Sequence, residues 1–472
     1  MTTRIETDSM GEMSVPIAAL YGASTQRAVL NFPVSGQLIP SSIIHAYGVI
    51  KWAAARANGE LGLLPKNKAD LIEQAALEIA EGKLDAHFVL DIYQTGSGTS
   101  TNMNVNEVIS NRACQLAGKP IGAKEPIHPN DHANMGQSSN DTFPTAVHLA
   151  VAQELSGKLL PSLEMLQAAL TQKGTDFMDV LKIGRTHLMD ASPVRLGQEF
   201  HGYARQIEHS VDRVHKAIKT VAEIPLGGTA VGTGLNRHPD FPTVAIRLLA
   251  DKTGLPFREA KDHFEAQSAK DSLVEVSGQL KTIATSLFKI ANDIRWLGSG
   301  PQCAIGEIAL PANQPGSSIM PGKVNPVMSE SLMQVCARVF GNDATVTWCA
   351  AAGSNFELNV MMPALAAALL ESIGLLATSA QLFRERCVEG ITARKERCQD
   401  LIESSLAMAT GLIPLLGYDR AAIIAKESAQ TGITVRQLCL DRLTELGITA
   451  AELNQALDPA RMCAPSIGVL LQ

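Results

Sequence analysis

Four short segments of this 472-residue chain are crowded with hydroxyl, amide and basic side chains, and the chemistry they share is the holding of negative charge. The richest is Gly316-Ser-Ser-Ile-Met-Pro-Gly-Lys-Val-Asn-Pro326, which sets Ser317, Ser318, Lys323 and Asn325 on one loop. Gly316 and Gly322 permit backbone angles and close approaches that a Cβ resists, and Pro321 stiffens the middle. Asn325-Pro326 reads as an N-cap followed by proline at the first helical position. The loop is therefore expected to feed a helix whose positive dipole end faces a bound anion. The other segments are Gly96-Ser-Gly-Thr-Ser-Thr-Asn102, Ser138-Ser-Asn-Asp141 and Gly184-Arg-Thr-His-Leu-Met-Asp190, the last followed by Ser192-Pro193 at the expected start of another helix. Each reads as a helix N-terminus turned toward negative charge.

Capping a helix needs one side chain, and Ser, Thr, Asn and Asp do so in most proteins. Thr186-His187, Ser138-Ser139-Asn140 and Ser317-Ser318 supply more polar groups than capping uses, beside runs that should be buried. Left unpaired, such groups cost about 1–3 kcal/mol each, so a ligand or water is expected to satisfy them. A lone histidine is more often structural than catalytic. His187 becomes an acid/base candidate if Glu330, on the helix after the loop, orients its ring and raises its basicity. The glycine-rich Gly227–Gly234 stretch has no strand and βαβ context for a dinucleotide loop and reads as a turn near the site.

The elements that must position these groups are helical. Hydrophobic residues make up 46% of the chain but aromatics only 4%, and Ala and Leu are abundant, which favours helix over strand. Leu273, Val276, Leu280, Ile283, Leu287, Ile290, Ile294 and Leu297 recur at alternating spacings of three and four, predicting a helix over 268–297, about 45 Å long. A second seam runs through Val147, Val151, Leu155, Leu159, Leu163, Leu166 and Leu170. Further helices are expected at 193–222, 327–350 and 356–386, with Pro363 kinking or opening the last. These define an elongated central region between flanks of shorter elements, with boundaries near 137 and 392.

A net charge of -7 argues against nucleic acid as the main partner. Val360–Leu370 is the most apolar stretch; cut off at Glu371, it is shorter than the roughly 18 residues a membrane span needs, so no membrane partner is expected. The N-terminal residues lack the basic-then-apolar order of a secretory signal, and a cytoplasmic location is expected. The eight cysteines are scattered without C-x-x-C spacing, and read as reduced packing residues rather than metal ligands.

Together, Gln94–Thr99, His128-Pro-Asn-Asp131, Gln137–Asp141, Gly184–His187 and Gly316–Pro326 resemble class II fumarate hydratases. The resemblance covers nearly the whole chain, extending to Met10-Gly11, Gly227–Asn236, Lys289–Trp296 and Asn355–Val360. The Ser-Ser-x-x-Met-Pro-x-Lys-x-Asn loop alone marks only the wider fumarase/aspartase superfamily. Aspartases typically carry Gln at the position of His187 and Ala at that of Gly322, so both residues favour fumarase, as does His128. Thr99-Ser-Thr-Asn102 is slightly aspartase-like, which keeps aspartate ammonia-lyase, or a related dicarboxylate lyase, as the alternative. Glu125 departs from the basic residue that some fumarases place before His-Pro-Asn-Asp.

The resemblance implies an all-α, three-domain fold divided as 1–137, 138–392 and 393–472, whose central long-helix bundle forms the twenty-helix core of a homotetramer with active sites shared by three chains. It implies reversible, stereospecific hydration of fumarate to (S)-malate, a reaction of the tricarboxylic acid cycle, through an aci-carboxylate and without metal or cofactor. Ser317 would be the base, with His187, tuned by Glu330, handling water. Lys323 and Asn325 would bind the carboxylate that gains charge, with Ser318 and Val324 beside them. Ser97, Gly98, Thr99, Ser138, Ser139, Asn140 and Thr186 would hold the carboxylates, and His128, Asn130 and Asp131 match a secondary anion site.

Overall fold

The computed structural model describes residues 2–465. Its helices up to Arg386 are α1 (Ala23–Asn31), α2 (Ser41–Glu60), α3 (Lys66–Ala80), α4 (Thr99–Leu116), α5 (Ser139–Glu154), α6 (Leu160–Asp176), α7 (Leu196–Thr220), α8 (Phe241–Thr253), α9 (His263–Ser268), α10 (Asp271–Leu297), α11 (Val327–Gly353) and α12 (Met362–Arg386). Short helices between Lys395 and Met462 complete the described chain. Among the described residues every sheet is two-stranded, including the hairpins β1 (Thr3–Asp8) with β2 (Gly11–Pro16) and β3 (Leu181–Thr186) with β4 (Met189–Arg195). The architecture is the expected all-α class, with strands serving as local clips.

The chain divides into two compact units. The first comprises 1–161, 210–285 and 335–378, and its organising element is α2, which packs against α3, α5 and α8. Tyr47, Ile50, Ala53, Ala54 and Ala57 of α2 are fully buried, and small residues on several sides let three neighbours approach it. The second comprises 162–209, 286–334 and 379–472. Here Ile183 of β3 joins Ile402, Leu412, Ile424, Leu438, Leu453 and Leu457 of the C-terminal helices in one apolar cluster.

Both long seams fold as their spacing predicts. All eight α10 seam residues from Leu273 to Leu297 are buried, and so are all seven from Val147 to Leu170. The second seam runs through α5 and α6 joined by a π-helical turn, Leu155–Leu159, a one-residue slip in the hydrogen-bond ladder. The first starts at Asp271 rather than Ser268. Ala269 swings to an extended ψ of 150°, and the buried Lys270 ammonium donates to the carbonyls of Ala266, Gln267 and Ala269, ending α9 before α10 begins.

Other expectations are corrected. Ser192-Pro193 does not open a helix; both residues lie in β4, and α7 starts at Leu196. Pro363 does not kink α12, because the helix begins at Met362 and a proline in the first turn removes no helical bond. Glu371 ends the unbroken apolar stretch, its carboxylate accepting from Arg338 and Asn342, but α12 continues past it with further apolar residues. The resulting segment, Met362–Gly390, has the length and composition to cross a bilayer, yet 61% of its most apolar window is buried inside the protein, as in a core helix. All eight cysteines are free, but Cys303 is exposed and so is not the packing residue expected.

Candidate active site

In the first unit, two helix starts bring their hydroxyls together. Gly98, the N-cap of α4, holds φ at 74°, and a Cβ there would lie 2.0 Å from the Phe143 ring, so glycine is required twice over. Gly98 has no side chain with which to cap; Gln94 does this instead, its Oε1 accepting from Thr101 N–H at 3.0 Å and Thr101 Oγ1 at 2.7 Å. Thr99 is left free to link Ser97 and Ser139, with 2.7 Å between hydroxyl oxygens on each side. Ser138 caps α5 in a capping box with Asp141.

The fully buried Asp141 also accepts from the amides of Gly227 and Thr229 at 3.0 Å each, which pins the glycine-rich turn beside the α5 start. Burial raises its pKa against these two amides and that of Ser138, which donates to the same carboxylate at 2.9 Å. Asn140 Nδ2 donates to Ala230 O at 2.7 Å. Thr99, Ser138, Ser139, Asn134, Gln137, Thr229 and Asn236 thus line a cleft of about 350 Å³. The Gly227–Gly234 stretch is a turn, as expected, and lies beside the start of α5.

His128-Pro-Asn-Asp131 forms a separate polar turn in the same unit. His128 Nδ1 accepts from the amides of Asn130 at 3.3 Å and Asp131 at 3.2 Å, which fixes the ring as the cap of this turn. The Asp131 carboxylate lies 3.2 Å from the same nitrogen. The adjoining cavity, about 200 Å³, is lined by Glu6, Asp8 and Glu107 with Lys124. The carboxylates are occupied: Glu107 accepts from Gly22, Ser24 and Thr25, Asp8 from Arg27, and Glu6 from Arg4 and Asn111.

In the second unit, Gly184–Asp190 is a hairpin rather than a helix start. Arg185 pairs with Asp190 and Thr186 with Met189, leaving His187-Leu188 as a two-residue turn. Both turn residues take positive φ, 56° and 61°, the sign pattern of a type I′ turn. Neither is glycine, and such backbone costs of order 1–3 kcal/mol per residue. The strands behind repay it. Arg185 forks onto the fully buried Glu307 at 2.8 and 3.1 Å, and Lys182, 1% exposed, bridges Glu307 at 3.3 Å and Glu199 at 2.9 Å. This rigid base presents Thr186 and His187 exposed at the tip.

The loop at 316–326 is closed at its neck. Gly316 N–H donates to Lys323 O at 2.8 Å, and Asn325 Nδ2 donates back to Gly316 O at 2.9 Å. A Cβ on Gly316 would sit 2.6 Å from Lys323 O, and Gly322 holds φ at 80°, so both glycines serve as the sequence suggests. Asn325 is not the helix cap expected, because α11 starts at Val327 and the Asn325 amide is spent on the neck. Within the loop, Ser317 Oγ accepts from the amides of Ile319 at 3.2 Å and Met320 at 3.1 Å. Two N–H dipoles aimed at one hydroxyl oxygen favour its anionic form. Ser318, Lys323 and Val324 are exposed on the same loop. Glu330 is exposed on α11, and among the described residues no hydrogen bond or ion pair joins it to His187 within one chain.

Sequence reasoning missed the supports. Gln94 and Arg185 lie inside the segments but their bracing roles were not read, and Asn134, Lys182, Glu199 and Glu307 carry the segments from outside them. The one signal available was a pair of basic residues inside an apolar strand, Lys182 and Arg185, which require buried acids nearby.

Comparison with known proteins accords with this arrangement. Residues 11–341 match the lyase family model, and residues 408–464 match the model described as the fumarase C C-terminus. The class II fumarate hydratase of Neisseria meningitidis is 48% identical over 98% of this chain and 100% of its own length. The mitochondrial fumarate hydratase of Saccharomyces cerevisiae is 49% identical over 98% of this chain and 94% of its own. The crystal structure of recombinant class II fumarase from Schistosoma mansoni superposes with a TM-score of 0.94 at 39% identity, covering 98% of this chain and 100% of that one. With the lyase model spanning most of its length and fumarase relatives matching it nearly end to end, the chain belongs to the class II fumarate hydratase family.

Proposed function

We infer that this chain catalyses the reversible hydration of fumarate to (S)-malate, and that the segments above are its catalytic parts. The end-to-end match to fumarate hydratases carries the activity. The dehydration direction removes a weakly acidic proton beside a carboxylate, and the carbanion charge spreads into that carboxylate as an aci-carboxylate. Catalysis therefore consists mainly of placing donors where this second charge develops.

Ser317 is proposed as the base. A serine hydroxyl alone is far too weakly acidic to lose its proton near neutrality, and the two amides that converge on Ser317 Oγ support an alkoxide there. Lys323 and the remaining polar capacity of Asn325 bind the carboxylate that gains charge; one charge pair at 4 Å is worth about 4 kcal/mol at an effective dielectric near 20. Ser318 and Val324 shape the loop around it. Ser97, Gly98, Thr99, Ser138, Ser139, Asn140 and Thr186 hold the carboxylates through hydroxyls, amides and backbone N–H groups. His187, oriented by Glu330, takes the proton from water or returns it to the leaving hydroxide. The turn at His128, Asn130 and Asp131 is proposed as a secondary anion site, weakened by the acidic lining beside it.

The proposed site is completed by three chains of a homotetramer, in which Glu330 of one chain meets His187 of another. In support, large apolar side chains stand exposed along the long helices: Phe288 and Trp296 on α10, and Phe340 and Trp348 on α11. Such stripes are what a neighbouring chain covers. The division into 1–137, 138–392 and 393–472 is proposed as the organisation of each chain in that assembly. A cytoplasmic location is proposed as well, supported by eight free cysteines, which suit a reducing compartment. The test of function is an ultraviolet assay that follows loss of fumarate by purified protein without added metal. Malate as product is expected; aspartate as the main product when ammonium is supplied would overturn the reading.

A further inference from the structure

The cleft at the starts of α4 and α5 is built for an anion yet has no charged side chain in its lining. Hydroxyls and amides of Thr99, Asn134, Gln137, Ser138 and Ser139 are part of its wall. A cation lies directly behind this wall. Lys51 of α2 is 0% exposed, and its ammonium donates to Asn134 Oδ1 at 3.1 Å and Gln137 Oε1 at 2.9 Å, two residues that also line the cleft. Asn134 Oδ1 also receives the side-chain amides of Asn102 and Asn106 at 3.2 Å each, so one oxygen gathers three donors.

No carboxylate touches Lys51 among the described residues. The charged group facing it is Asp141 of α5, whose own carboxylate is committed to the amides of Ser138, Gly227 and Thr229. The other titratable neighbour is Tyr47 of α2, whose ring centroid lies 6.0 Å from the ammonium. A purely structural side chain here would be cheaper as methionine, because burying an ammonium against neutral amides is costly. Burial accordingly lowers the Lys51 pKa to about 7, and a nearby anion would restore the charge.

We propose that Lys51 is a positioning residue that supplies, from behind Asn134 and Gln137, the positive charge against which a substrate carboxylate is held in this cleft. The ammonium holds Asn134 and Gln137 by their side-chain oxygens while their NH2 groups donate to the carbonyls of Gln137 and Met135, so its charge acts through this wall and the hydroxyls and helix starts of α4 and α5 meet the carboxylate; the cation itself stays dry. The inference rests on the fumarate hydratase reading and adds to it a binding determinant outside the polar segments.

The test is competitive inhibition by succinate, the saturated diacid, against fumarate turnover by the intact enzyme carrying Lys51→Met or Lys51→Gln. An inhibition constant is independent of how much of a preparation is folded, so partial loss of protein does not obscure it. Both variants are expected to raise the succinate constant about tenfold, a charge-sized effect, with kcat falling less than the affinity does. An unchanged constant in either variant would overturn the proposal. A Gln variant that restores wild-type affinity would also overturn it, by showing that Lys51 acts as a hydrogen-bond donor only. If the wild-type protein neither turns over fumarate nor binds succinate, the fumarate hydratase reading itself fails, which is a separate result.

Discussion

Glu307→Gln removes one charge from a buried cluster of two cations and two anions, and its cost can be worked from the contacts. Glu307 is fully buried and receives both arms of the Arg185 fork, at 2.8 and 3.1 Å, and the Lys182 ammonium at 3.3 Å. Glutamine keeps the shape and one acceptor oxygen but leaves Arg185 without its counter-charge, while Lys182 retains Glu199 at 2.9 Å. Removing one partner of a buried pair costs about 3–5 kcal/mol. The retained acceptor and the 15% side-chain exposure of Arg185 place the expected loss near the lower end, about 3 kcal/mol. The double variant Arg185→Met, Glu307→Met removes both charges and leaves Lys182 paired with Glu199, so it is expected to lose less than the single change, by about 1–2 kcal/mol. Urea unfolding at fixed protein concentration reads both values. Since Arg185 is two residues from His187, the single variant is also expected to lower kcat through a loosened hairpin tip. A single-variant loss below about 0.5 kcal/mol, or a double variant worse than the single, would refute the view that this charge cluster braces the strained turn.

Two other outcomes follow from local geometry. Gly316→Ala places a methyl 2.6 Å from Lys323 O and must open the loop neck, so turnover is expected to fall at least tenfold, while the thermal midpoint of so exposed a segment shifts little; steady-state kinetics with a thermal scan checks this. His148 is buried between Val221 O and Ser272 Oγ, and burial depresses its pKa from 6.5 to about 4. The unfolded chain then binds a proton that the folded one refuses. Stability contributed by this group is present above pH 6.5 and lost as pH falls toward 4, by about 3 kcal/mol in all. Urea unfolding across that range is expected to show a shallower acid limb in His148→Gln.

The parts of this fold that were legible in sequence are those whose signal is periodic. The 273–297 and 147–170 seams announce themselves because a helix face repeats every three or four residues whatever it packs against. The 184–195 segment misled because Ser-Pro and Thr-His are as common at helix starts as in tight turns. What decides between them is the pairing of Thr186 with Met189, which no local pattern records. Cap residues were misassigned for a related reason. Asn325 has the chemistry of a cap, but the nearest unsatisfied group is the carbonyl of Gly316, nine residues back. Supports such as Arg185 with Glu307, 122 residues apart, or Lys51 with Gln137, 86 apart, become visible only when the chain is folded. The segments bearing hydroxyls and Lys323 were readable because they hold more polar groups than local structure consumes.

The most direct test of the account is the turnover of Ser317→Ala with fumarate, since the loop amides around Ser317 Oγ are its chemical centre. Loss of the base is expected to lower kcat by about 10²–10⁴-fold, with the circular dichroism spectrum and thermal midpoint of the folded protein retained. A kcat within a few-fold of wild type would contradict the assignment of Ser317 as the group that takes the proton.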